Sequence, residues 1–157
     1  MELPIEPTTP SSEVPGPRAE LGAAQGGAAG ELLPGLTATV ELLVTDADTA
    51  QAVGSGDVPV LGTPRVLALA EAATVAATTR HLPSGATTVG LRVELSHLAP
   101  TPVGRTVTAR ARLTRVEGRR LHFEIAVCDG TTTVAEGRVE RVLVDRHRFV
   151  SRAVDTA

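Results

Sequence analysis

Three residues of a kind that does chemistry stand at readable positions: Thr63 and Glu71 in "LGTPRVLALAEAATVAATTRHL", and His97 in "VELSHLAPTPVG". A carboxylate can attack an electrophilic carbon or take a proton from water, a histidine can carry that proton, and a hydroxyl can orient either one. Glu71 needs the most explanation. It interrupts a run of Val, Leu and Ala, and a carboxylate moved into an apolar interior costs on the order of several kcal/mol unless it is paired, hydrogen-bonded or protonated.

Each residue also has a plain structural reading. Thr74 and Thr78 share the helical face of Glu71, so the three could form the solvent stripe of a mostly buried helix. Threonine is a poor helix former, however, and a short stripe without long charged side chains fits a pocket wall or a subunit interface equally well. Thr63 precedes Pro64 at a helix start, which predicts that its hydroxyl caps the free backbone N–H groups there. The same helix end can also meet an oxyanion. His97, taken alone, is a strand-end histidine. Thr63 and Glu71 lie about 12 Å apart along a straight helix, so they meet only if the helix start bends or a second chain supplies one of them.

Other chemistries find little support. His81, His122 and His147 have no spacing that pairs them as metal ligands, and Cys128 is the only cysteine, so neither a metal, a cofactor nor an internal disulfide is expected. There is no phosphate-binding loop, nucleophile elbow or dinucleotide fingerprint, and "GSG" at 54–56 opens no such turn. All fifteen basic residues are arginine against eighteen acids, for a net charge of −3. That balance, with Phe123 and Phe149 the only aromatics, argues against nucleic-acid and membrane-surface binding. No apolar run approaches a membrane span, and the first residues lack the basic and apolar regions of a secretion signal. A cytoplasmic protein is expected.

The elements that must position these residues can be read from composition and period. Residues 1–34 hold six of the eleven prolines and a Gly/Ala run, the signature of a disordered tail. A strand is expected over 36–45, then at most a helical turn and a Gly/Ser/Asp/Pro loop over 46–60 that could serve as a lid. The apolar helix runs from Thr63 to about Thr79, stopped by Pro83-Ser84-Gly85. Strands follow at 86–98, 103–116, 119–128 and 132–146. Val107, Ala109, Ala111 and Leu113 alternate with polar neighbours, as do Leu121, Phe123, Ile125 and Val127, which is the pattern of half-buried antiparallel sheet. Glu117-Gly118 and Asp129-Gly130 supply tight turns. The chain therefore predicts one α+β domain, an antiparallel sheet wrapped around one long central helix.

The segments "GTPRVLALAEAA", "TTVGLRVELSHLAPTPVGRTVTARARL" and "VEGRRLHFEIAVCDG" closely resemble the hot-dog-fold acyl-CoA thioesterases of the fluoroacetyl-CoA thioesterase type. The resemblance spans roughly residues 35–153. It implies a catalytic set of Thr63, Glu71 and His97, with the Gly90 backbone N–H binding the substrate carbonyl. It also implies a homodimer whose sheets join edge to edge, with the pocket at the subunit interface, hydrolysing a short or small acyl thioester. One departure stands out: the fluoroacetyl-specific type carries aromatic side chains ahead of the threonine, whereas residues 46–62 contain none. The competing readings are a non-catalytic acyl-thioester or small-molecule binder and, less favoured, a hot-dog dehydratase, for which no Asp stands at the required spacing before a histidine.

Overall fold

The computed structural model describes residues 31–156, so most of the expected N-terminal tail lies outside the described residues. Strand β1 (Thr37–Leu43) is followed by a 3₁₀ turn (Asp46–Asp48), the short helix α1 (Ala50–Val53) and the central helix α2 (Thr63–Thr78). Strands β2 (Ala86–His97), β3 (Thr106–Glu117), β4 (Arg120–Asp129) and β5 (Thr132–Asp145) lead into helix α3 (Arg146–Asp155). The strands form one antiparallel sheet in the order β1-β3-β4-β5-β2. The last three in sequence make the expected meander, and β1 and β2 are the edges.

The alternation read in β3 and β4 is the alternation observed. Val107, Ala109, Ala111, Leu113, Leu121, Phe123, Ile125 and Val127 are buried on the face that meets α2. Their neighbours Arg110, Arg112 and Glu124 project from the other face. Helix α2 contributes Val66, Leu69, Ala70, Ala73 and Ala77 to the same core, at the 3–4 spacing of one helical face. Three of the five are alanines, and their small side chains let the helix lie close to the sheet.

Thr74 and Thr78 correct the sequence reading. Both are fully buried on the core face and form neither a solvent stripe nor a pocket wall. The Thr74 hydroxyl donates to the Glu71 carbonyl at 2.6 Å, and that of Thr78 to the Thr74 carbonyl at 3.1 Å. A threonine satisfied by its own helix backbone can be buried much as valine is. Glu71 is thus left without side-chain company on its own helix.

Helix α3 is a feature the sequence reading did not include. It begins where the Asp145 side chain accepts from the Arg148 backbone N–H at 2.8 Å, and it buries none of its residues. It is short and rich in arginine, with Phe149, Val150, Ala153 and Val154 at helical spacing on one side, a signal too brief to separate from the end of β5. Among the described residues no helix is long and apolar enough to cross a membrane.

Edge strand β2 carries an irregularity. Gly90 pairs with Arg141 and Arg92 with Glu140, leaving Leu91 as an extra residue between them. Such a bulge bends a strand and re-aims the groups beside it. Leu91 itself is exposed.

Candidate active site

Thr63 is the first residue of α2, but it does not cap it. Gly62, with extended backbone, holds the cap position, and there is no side-chain capping bond. The Thr63 hydroxyl reaches sideways instead, to His97 Nδ1 at 2.8 Å, at the far end of β2. The capping expectation fails because the turn enters the helix one residue earlier, which leaves the hydroxyl available for a tertiary bond.

The segment before α2 is anchored by a buried carboxylate. Asp48 accepts from the Thr45 backbone N–H and hydroxyl and from Arg65 Nε, the last at 2.7 Å. The Asp48 carbonyl accepts from the Gly62 N–H at 2.9 Å. Asp48 therefore ties the 3₁₀ turn to the first turn of α2, where Thr63 sits. Burial pushes its carboxyl upward, but the Thr45 backbone N–H, the Arg65 guanidinium and the Thr45 hydroxyl together outweigh it and hold the group below the usual carboxylate value.

The second ring nitrogen of His97, Nε2, is buried with no hydrogen-bond partner among the described residues. Beside Thr63 and His97 opens a cleft of about 340 Å³, walled by the loop that follows α1 and by Leu98–Pro100.

Glu71 belongs to a different group. Its Oε2 accepts from an Arg141 terminal nitrogen at 2.8 Å. Arg141 is buried, and its remaining donors go to Thr88, the hydroxyl at 2.9 Å and the carbonyl at 3.0 Å. Burial lowers the Arg141 guanidinium from its ordinary value, while the Glu71 carboxylate opposes that shift. This pairing answers how a carboxylate is tolerated on so apolar a helix. The Glu71 side chain retains 32% exposure, so an approaching molecule can reach it.

Gly90 completes this group. A Cβ there would stand 2.5 Å from Glu71 Oε2 and 3.8 Å from an Arg141 terminal nitrogen. Glycine leaves the carboxylate and the bulged edge backbone in contact, with no side chain between them.

The four residues read from the sequence thus fall into two pairs, Thr63 with His97 and Glu71 with Gly90. Gly90 and His97 are seven residues apart on β2, about 23 Å of extended strand, so a single chain does not join the pairs. Arg141 was missed, although strand parity held the signal. It follows Val139 by two positions in β5, which puts a guanidinium on the inward, apolar register, where an unpaired charge is not tolerated.

Comparisons with known proteins bear on the fold and the family. The family model for fluoroacetyl-CoA-specific thioesterases matches residues 44–147. The fluoroacetyl-CoA thioesterase of Streptantibioticus cattleyicolor is 36% identical over 90 residues, covering 57% of this chain and 65% of the relative, a little under two thirds of its length. A crystal structure of the fluoroacetyl-CoA thioesterase FlK superposes with a TM-score of 0.76 at 27% identity, covering 81% of this chain and 98% of that one. A hot-dog-like protein from Thermanaerovibrio acidaminovorans gives 0.72 at 27% identity, covering 78% and 91%. The architecture is the hot-dog fold, and the chain belongs to the fluoroacetyl-CoA-specific thioesterase family.

Proposed function

We propose that the protein is a cytoplasmic homodimer that hydrolyses acyl-CoA thioesters at two sites, each completed by both chains. The observation that carries this reading is the division of the site along one free edge strand. Among the described residues β2 has a sheet neighbour on one side only, and an exposed edge of this length invites pairing with another chain. Antiparallel pairing of two β2 strands about Val93–Glu94 would set Gly90 and Glu71 of one chain opposite Thr63 and His97 of the other. A two-fold axis makes both copies of the site alike.

In such a site each group has a task. Glu71, held by Arg141, attacks the thioester carbon as nucleophile, or takes a proton from a water whose oxygen attacks there. The Gly90 N–H stabilises the negative charge that develops on the carbonyl oxygen. The C–S bond breaks, the thiolate leaves, and His97 supplies its proton, with Thr63 fixing the ring. In the nucleophile route water then attacks the acyl carbon of the acyl–Glu71 anhydride, breaking its bond to Glu71 and freeing the carboxylate; in either route water's oxygen ends in the released acid.

Complementation between variants tests both the activity and the shared site. Glu71→Gln and His97→Ala should each reduce thiol release from an acyl-CoA by about a thousandfold or more. Dissociated and re-formed together, they should recover about a quarter of wild-type activity, because half of the dimers are mixed and each mixed dimer holds one intact site. No recovery from a mixture that has exchanged subunits overturns the shared site, and full activity in folded Glu71→Gln overturns the assignment of Glu71.

A further inference from the structure

We propose that the cleft beside Thr63 and His97 selects an acyl chain of about six to eight carbons, or a branched equivalent, rather than a two-carbon acyl group, taking roughly 30 Å³ per water-sized group and native packing density. The inference rests on the thioesterase reading above and specifies the substrate of the same site.

On one chain the cleft holds about 340 Å³, several times what a two-carbon acyl group fills. Its walls are short: Ala50, Val58, Val60, Leu61, Leu98 and Pro100 supply the apolar surface, and Ser55 and Gly56 form part of the rim. Val58 and Leu98 are 49% and 57% exposed in the single chain, two aliphatic side chains that a hydrocarbon chain lying in the cleft would cover.

The wall is preformed. Ala50 N donates to the Val60 carbonyl at 2.8 Å, Ser55 N to the Ala50 carbonyl at 3.0 Å, and Gln51 Nε2 to the Asp57 carbonyl at 2.8 Å. These bonds fasten the loop to α1 across the cleft's length. Gly56 faces Ala50, and a Cβ there would meet only the Ala50 Cβ, at 3.4 Å. No side chain narrows the space at that point.

Charge decides which end of the substrate enters. Apart from His97, Asp57 is the only titratable side chain among the described residues of this chain that line the cleft. A carboxylate repels the phosphates of CoA, and none of these lining residues is an arginine that would attract them. The acyl end therefore lies in the cleft, and the CoA arm leaves the reacting carbonyl in another direction.

The test is a series of saturated straight-chain acyl-CoAs from acetyl to decanoyl, assayed with the wild-type protein by thiol release. kcat/KM is expected to rise by up to about fourfold per methylene, to peak near hexanoyl or octanoyl, and to fall at decanoyl. Gly56→Phe, which places a ring in the cleft, should reduce the octanoyl-to-acetyl ratio at least tenfold, and Ser55→Phe on the rim should act in the same direction. A maximum at acetyl-CoA, or an unchanged ratio in both folded variants, overturns the proposal while leaving the thioesterase reading standing. Absence of hydrolysis across the whole series overturns both.

Discussion

Gly90 and Glu71 are in direct contact: a Cβ at position 90 would fall 2.5 Å from the Glu71 Oε2. The contact joins the central helix to the bulge of the edge strand, so the carboxylate is held between Arg141 and the strand backbone. Gly90→Ala should therefore act through Glu71. Its φ lies outside the left-handed range, and alanine fits the backbone without strain. The expected result is a fall in kcat of about ten- to a hundredfold, with KM little changed and a melting temperature within a few degrees of wild type. Steady-state kinetics and thermal denaturation check both parts.

Arg141 links stability to the site in a way that a double substitution can separate. Arg141→Met leaves Thr88 without its donor and the half-buried Glu71 carboxylate without its cation, which should cost about 2–4 kcal/mol. For a chain of this size that is a drop of roughly 5–15 °C in Tm. Adding Glu71→Gln removes the stranded charge. The double variant should regain a large part of the lost Tm and none of the activity. A double variant that melts no higher than Arg141→Met would show that the ion pair is not what Arg141 stabilises.

The parts of this architecture that were legible in the sequence are those where a period is sustained. Leu121, Phe123, Ile125 and Val127 alternate cleanly because one face of β4 meets the core and the other meets water, and the apolar run of α2 stands out for the same reason. Arg141 was illegible as a site residue because only its parity with Val139, not its type, marks it as inward-facing. Thr74 and Thr78 misled because a buried threonine satisfied by its own helix looks, in sequence, like an exposed one. The pairing of Thr63 with His97 joins residues 34 positions apart through the packing of a helix start on a strand end, and no local pattern encodes it.

Asp48 should give the protein part of its acid sensitivity. Its folded-state value is depressed, so it binds fewer protons folded than unfolded near the ordinary carboxylate value of about 3.9. Its contribution is complete above that value and is lost as pH falls through the depressed folded one. Asp48→Asn should lower stability by about 1–3 kcal/mol at neutral pH, and the gap to wild type should narrow below about pH 4. Urea unfolding at a series of pH values measures it. A gap that stays constant into acid would remove Asp48 from the account.

Thr63 offers a direct choice between a structural and a chemical role. Had its hydroxyl capped α2, removing it would cost about 1 kcal/mol of stability. Gly62 holds the cap position and the hydroxyl goes to His97, so Thr63→Val should leave thermal stability close to wild type. It should nevertheless cut kcat by about ten- to a hundredfold, because the imidazole loses the partner that fixes its orientation and tautomer. Thr63→Ser keeps the hydroxyl and should restore much of the rate. The split between kcat and KM supplies the second readout: if Thr63 positions His97, kcat should fall in Thr63→Val with KM little changed, and return in Thr63→Ser. A loss of stability in Thr63→Val without change in kcat would assign the residue to the helix rather than to the chemistry.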